Sequence, residues 1–170
     1  MVPLRGADPL RGGALPPGLL CAALGFALAF APWRIIPVCI AALVATAGLV
    51  VWHGVAVAWR DWAFIGCWIS VIAAAASVHL PRGPGPRLAV MLSVNVGAWA
   101  GAVIAVAGAP IDLVKSLPFV LLCAPGAWLV STGRKIALKV AASWLIAVAI
   151  LVSTLPVLTP TPGYVADHMD

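Results

Sequence analysis

Apolar and polar positions alternate along this chain in long blocks. Six apolar runs cover about residues 15–33, 35–59, 62–80, 88–109, 113–131 and 139–158. Each is close to the ~20 residues a helix needs to cross a ~30 Å hydrocarbon core at ~1.5 Å per residue. Transmembrane β-strands would be about ten residues long and would alternate polar with apolar; these runs do neither. Inside lipid the backbone must satisfy its own hydrogen bonds, which leaves helices. The pattern therefore predicts an all-α, polytopic transmembrane helix bundle with six spans. The alternative is five spans plus a re-entrant or interfacial first segment.

The breaks between runs agree. They read Trp33-Arg34, Trp59-Arg60-Asp61-Trp62, Pro81-Arg82-Gly83-Pro84-Gly85-Pro86-Arg87, Pro110-Ile111-Asp112 and Thr132-Gly133-Arg134-Lys135. Trp33, Trp59 and Trp62 stand at run ends, where indole rings favour the headgroup level. Connections this short predict antiparallel sequence neighbours in one helical domain over residues 14–158. Residues 1–13 read as a flexible polar arm. Residues 159–170, with Thr159-Pro160-Thr161-Pro162-Gly163 at their head, read as an exposed, Pro-rich tail.

Composition changes the choice of solvent. Of 170 residues, 64% are apolar and 9% are charged. Soluble domains carry about 25% charged residues, so a bilayer is the expected surrounding. The net charge of +5 does not point to nucleic acid, because the basic residues are scattered between apolar runs without forming a basic face. Charge instead orients the chain. With six spans, one side holds Arg34, Arg82, Arg87, Arg134, Lys135 and Lys139 and no acid. The other holds Arg5, Arg11, Arg60 and Lys115 with all five aspartates, Asp61 among them. Cytoplasmic loops are enriched in Lys and Arg. The first side is then cytoplasmic, the membrane is the inner (plasma) membrane, and the C-terminus lies outside.

The first run is the weakest span. Pro16-Pro17 stands near its start, and "ALAFA" at 27–31 resembles a signal-peptide cleavage site. Six spans rank first, five plus a re-entrant or interfacial segment second, and cleavage third. The segment "LPPGLLCA" at 15–22 matches "LPFVLLCA" at 117–124 at six of eight positions. Leu and Ala are so abundant here that chance accounts for the match.

The fourth run carries a small-residue stripe at spacing four: Ser93, Gly97, Gly101, Ala105 and Ala109. Small residues let helix backbones approach closely, and such packing drives association in lipid. Contact within the bundle is the first expectation for this face, and a homo-oligomer interface the second.

Candidate chemistry is sparse. His53 lies inside the second run, seven residues before Arg60. On a continuous helix that places it ~10 Å below the surface. An ionisable residue inside a span is a functional candidate, although one hydrogen bond to a neighbouring helix would satisfy a neutral imidazole. Cys21 and Cys67 are expected at about the same depth. Two thiolates and an imidazole suit Cu(I) or zinc, so Cys21, His53 and Cys67 form the candidate metal set, although their spacing matches no metal motif. Asn95 is expected near mid-span, bonded across helices or lining a polar path. His79 reads as interfacial, and Asp112 as a helix N-cap with Lys115 reaching outward. Pro118 and Pro125-Gly126 are expected to kink or break the fifth helix.

The chain shows no HExxH, no phosphate loop and no carboxylate in mid-span. No enzyme activity and no cofactor are expected. The reading is a multi-pass membrane protein, a small transport-related bundle. The alternative is a non-catalytic accessory or assembly subunit, and a membrane-embedded metal or redox protein comes last. Partners are the lipid bilayer and either further copies of the chain or a larger membrane complex.

Overall fold

A computed structural model describes residues 14–81 and 83–154. The expected arm at 1–13, Arg82 and the tail at 159–170 lie outside the described residues, as do residues 155–158. The described chain is helical throughout, with no strand among the described residues. Its helices are α1 (Leu15–Leu28), α2 (Ile36–His53), α3 (Arg60–Ser77), α4 (Pro86–Ala107), α5 (Pro110–Ser116), α6 (Cys123–Ser131) and α7 (Lys135–Thr154). Short 3-10 turns at Trp33–Ile35 and Val57–Trp59 lead into α2 and α3, and a longer one at Leu117–Leu122 joins α5 to α6.

Five helical stretches, of 21, 21, 22, 22 and 20 residues, are long and apolar enough to cross a membrane. They are α2 and α3 with their leading turns, α4, the composite α5–α6, and α7. The sixth, α1, has 14 residues. At ~1.5 Å per residue it reaches about 21 Å, short of a ~30 Å core.

That short helix is the centre of the molecule. Leu20, Leu24, Leu28, Ala23 and Ala27 are fully buried, and Cys21 nearly so. With buried Gly18, Ala22 and Gly25 on the opposite side, these positions lie all round the helix, as expected of one enclosed on every side. Pro16 and Pro17 are buried as well. They fit the first turn because its N–H groups have no intrahelical acceptor. Around α1 stand α3, α4, α5, residues 117–122, α6 and α7.

The outer helices follow the opposite rule. In α2 only Cys39, Leu43 and Ala47 are buried, one stripe at spacing four that faces α4. In α7 the stripe is Leu138, Ala142, Leu145 and Ala149, facing mainly α3. Large apolar side chains point outward, among them Leu49, Ile69, Met91, Val140, Trp144 and Leu151. An outward surface of this kind would be a liability in water and is the expected one in lipid. Lipid offers no hydrophobic drive between helices, so the inward faces use small residues for close van der Waals contact.

Three contacts establish which connections share an end. Gly83, at φ +66°, lies against Phe30, and Gly126 lies against Ala29 and Leu138. The α1–α2, α3–α4 and α6–α7 connections therefore meet at one end. At the other, Arg60 Nη2 donates to the carbonyl of Val106 (3.4 Å), joining the start of α3 to the last turn of α4.

The second crossing differs from expectation. The apolar run continues to Trp59, but α2 ends at His53. Gly54 takes φ +70° and ψ 163°, an extended positive-φ conformation that ends the helix and that glycine, without a β-carbon, adopts without strain. The connection is residues 54–59, upstream of the expected Trp59–Trp62 hairpin.

Candidate functional site

Among the described residues the buried polar side chains come from three helices, α3, α4 and α5. Asn95 Nδ2 on α4 donates to Ser70 Oγ on α3 at 2.8 Å. Ser70 is buried and Asn95 half-buried. One turn away the Trp99 ring of α4 lies directly on Gly66 of α3, with no room for a β-carbon there. Asn95 and Trp99, four apart on α4, thus meet Ser70 and Gly66, four apart on α3. Asn95 bonds across helices, and the sequence pattern supplied its depth but not its partner.

The candidate metal set does not assemble. Cys21 of α1 and Cys67 of α3 lie in the same buried core. Ser116 of α5 lies beside Cys21 and is itself fully buried, its hydroxyl donating to the Leu113 carbonyl at 2.9 Å. His53, however, is exposed at the last position of α2. The premise that placed it two turns deep was a helix continuous to Arg60, and Gly54 ends that helix first. Among the described residues no three His, Cys, Asp or Glu side chains come together as a metal site, and all four cysteines are free thiols.

The small-residue stripe is occupied within the chain. A β-carbon on Gly97 would lie 2.6 Å from the Leu43 carbonyl oxygen, and one on Gly101 2.8 Å from that of Ala47. Ser93 is fully buried and its hydroxyl donates to the Ala89 carbonyl at 2.9 Å. Ala105 is half-buried, and Ala109 lies beyond the end of α4 and is exposed. The contact thus runs from Ser93 to Gly101 and fades toward Ala109.

The expected topology anchors divide between the two ends. Arg34, Arg87, Arg134 and Lys135 are exposed at the end that holds the α1–α2, α3–α4 and α6–α7 connections. Arg60 and Asp61 are exposed at the opposite end, at the start of α3. Asp112 shares that end in a different role from the expected N-cap. It is the third helical residue of α5, and its Oδ2 accepts from the backbone N–H of Ala109 at 2.9 Å. Its Oδ1 lies 3.7 Å from Lys115 Nζ. His79, exposed past the end of α3, has Nε2 at 3.4 Å from Ser143 Oγ of α7.

The fifth crossing bends the expectation as well. Pro118 and Pro125 lack the N–H groups that would return to Val114 and Leu121 in an α-helix. The chain stays helical by tightening to 3-10 winding over Leu117–Leu122. This segment lies on α1. A β-carbon on Gly25 would sit 3.0 Å from both the Phe119 and Val120 carbonyl oxygens, and Gly18 faces the Phe119 ring. The successive pairs 18 with 119, 25 with 119–123 and 29 with 126 show that the two segments run parallel.

Gly25, Gly66, Ser70 and Ser116 are site-forming residues that apolar periodicity does not single out. Their signal is small size inside otherwise bulky runs. No family model matches the chain, and comparison with curated proteins and with solved structures finds no similar protein.

Proposed function

We propose that the chain is a small transport-related bundle of the inner membrane, which moves a small solute or helps to move one. The observation that carries this reading is the packing of the short α1 against the proline-interrupted segment at 117–122. Membrane carriers commonly build their sites where short or broken helices meet near the middle of the bilayer, because such helices free backbone groups for a solute. Here both partners are of that kind and meet in the centre of the bundle. In this reading the closed contact at Gly25 is the resting arrangement, and movement of α1 against 117–122 opens the path.

A second observation favours the accessory-subunit reading. Every described buried side-chain polar atom already has a hydrogen-bond partner, so none among the described residues is left over to meet a solute. The two readings separate on extraction in mild detergent. A carrier is expected to purify alone or as a homo-oligomer, and vesicles made from it should pass a small solute from a mixed panel. Recovery only within a larger complex, with tight vesicles, would support the accessory role.

Orientation follows from charge. Arg34, Arg87, Arg134, Lys135 and Lys139 share one end with no acid among its described residues, which supports placing it in the cytoplasm with the C-terminus outside. Cysteine introduced at Gly133 should resist an impermeant thiol label added outside intact cells.

A further inference from the structure

We propose that the outward side of α4, centred on Asn95, binds the same side of a second copy of the chain. The interface serves a carrier and an accessory subunit alike.

Three sides of α4 are filled within the chain. Gly97 and Gly101 lie on α2. Asn95 and Trp99 reach Ser70 and Gly66 of α3. Residues 95 and 97 stand about 200° apart round a helix of 3.6 residues per turn, so α2 and α3 flank α4 on nearly opposite sides. Val96, Ala100 and Val103 are fully buried on a third side, toward the core. The fourth side carries Met91, Val94, Ala98 and Ala105, each exposed or half-buried, with Asn95 at its edge toward α3.

Asn95 distinguishes this side from a plain lipid-facing surface. It is the tenth of the 22 residues of α4, near mid-span, beyond the reach of water and headgroups. An amide offers two N–H donors and a carbonyl acceptor. Among the described residues this one makes a single hydrogen bond, from Nδ2 to Ser70 Oγ at 2.8 Å. Its Oδ1 has no partner there. Every enclosed side-chain polar atom among the described residues does have one, so Oδ1 is not enclosed and opens outward. By contrast, the hydroxyls of Thr46, Ser77, Ser93 and Ser116 return to carbonyls of their own helices. Lipid tails cannot satisfy the leftover group, and an unpaired polar group in an apolar medium is costly.

A second copy can satisfy it. Charge orients every copy the same way across the bilayer. A two-fold axis relating two copies then stands along the bilayer normal, and each residue lies level with its twin. The amide is its own complement, because the second N–H of each Asn95 can donate to Oδ1 of the other. Ala98, one turn along, and Ala105 are small enough for two α4 helices to approach closely. A different protein would have to bring its own polar group to this depth, whereas symmetry supplies one.

The test uses the full-length chain with one dye per copy, in vesicles of phosphatidylcholine and phosphatidylglycerol. Photobleaching steps are counted as the protein is diluted in lipid. The wild type should pass from two steps to one. Asn95→Leu should move that midpoint about tenfold toward monomer, the worth of two interhelical hydrogen bonds. Ala98→Trp should hold the copies apart, with melting temperatures confirming that both variants fold. Ser70→Ala removes the bond within the chain but keeps the amide, and should leave the midpoint unchanged. In native membranes, oxidation should join copies through Ala98→Cys and not through Ala147→Cys, which is exposed on α7. A wild type that is monomeric at every density, or an unmoved midpoint in Asn95→Leu, would refute the interface. Equal loss in Ser70→Ala would assign the effect to packing within one chain. Cross-linking of Ala98→Cys only to a different protein would assign the face to that partner. Either result overturns the proposal. A monomeric chain would leave the transport reading standing, and vesicles that move no solute would leave the interface standing.

Discussion

The α2–α4 contact and the α1 contact with residues 117–122 use the same device, a glycine laid on another segment's backbone, with different freedom to yield. At the first, a regular helix meets a regular helix. Gly97 is the tighter site, 2.6 Å from the Leu43 carbonyl by β-carbon position against 3.0 Å at Gly25. Yet α2 packs almost entirely on α4 and has lipid-facing positions on its remaining sides. At the second, α1 is enclosed by five other helices and the 117–122 turn. Clash distance alone would rank Gly97 as the more sensitive position. Room to move ranks Gly25 first, because an enclosed helix has nowhere to go.

The largest effect should follow Gly25→Leu. Its side chain meets two backbone carbonyls, Phe119 and Val120, which cannot rotate away. Overpacking a tight core costs about 1–3 kcal/mol and sometimes more, and this position should reach or exceed the top of that range. Thermal unfolding in detergent, followed by tryptophan fluorescence, should show a broad, early transition or no folded protein. A melting temperature close to wild type would mean that α1 can shift, and enclosure would no longer explain the ranking.

Gly97→Leu should cost less, about 1–3 kcal/mol, and locally. α2 should part from α4 while α1, α3 and α7 stay packed. Limited proteolysis should cut the 54–59 connection faster, with the main unfolding transition still cooperative. If Gly97→Leu lowers the melting temperature more than Gly25→Leu, then closeness decides the cost and room to move does not.

Asn95→Leu tests the polar contact that lies outside both glycine sites. It removes the 2.8 Å bond to Ser70 in a region where interhelical hydrogen bonds average about 0.6 kcal/mol. A small drop in melting temperature is expected, without loss of the fold. If vesicles pass a solute, an undiminished rate in this variant would exclude Asn95 from the path.

These contrasts also mark how far the sequence could be read. The helical segments, five of them long enough to cross, were legible because long apolar runs and charged, Trp- or Pro-marked breaks report directly on backbone satisfaction in lipid. The α2–α4 stripe was legible because two regular helices repeat small residues at a fixed interval. The position of α1 was hidden, since hydropathy cannot separate an apolar face toward lipid from one toward protein. Its signal was instead small residues on opposite sides, Gly18, Ala22, Gly25 and Ala29 on one and Ala23 and Ala27 on the other, where the lipid-facing side of a helix such as α7 shows Ile136, Val140, Trp144 and Leu151. His53 was misplaced for a related reason. Val55, Val57 and Trp59 keep the run apolar past Gly54, and only the glycine's φ of +70° ends the helix.

The smallest effect completes the comparison. Gly48 is on α2 itself, with nothing within 4 Å of where its β-carbon would stand. It is not a packing glycine, and in mid-helix it leaves the unfolded chain more freedom than alanine would. Gly48→Ala should therefore be neutral or stabilise by up to about 1 kcal/mol, the opposite sign to Gly97→Leu across the same helix pair. The measurement is again the melting temperature, set beside the proteolysis rate at 54–59. A clear loss of stability from Gly48→Ala would show that α2 has a second partner on that face. The freedom of α2 to yield would then be smaller than its contacts within one chain imply, and the gap between Gly97 and Gly25 should narrow accordingly.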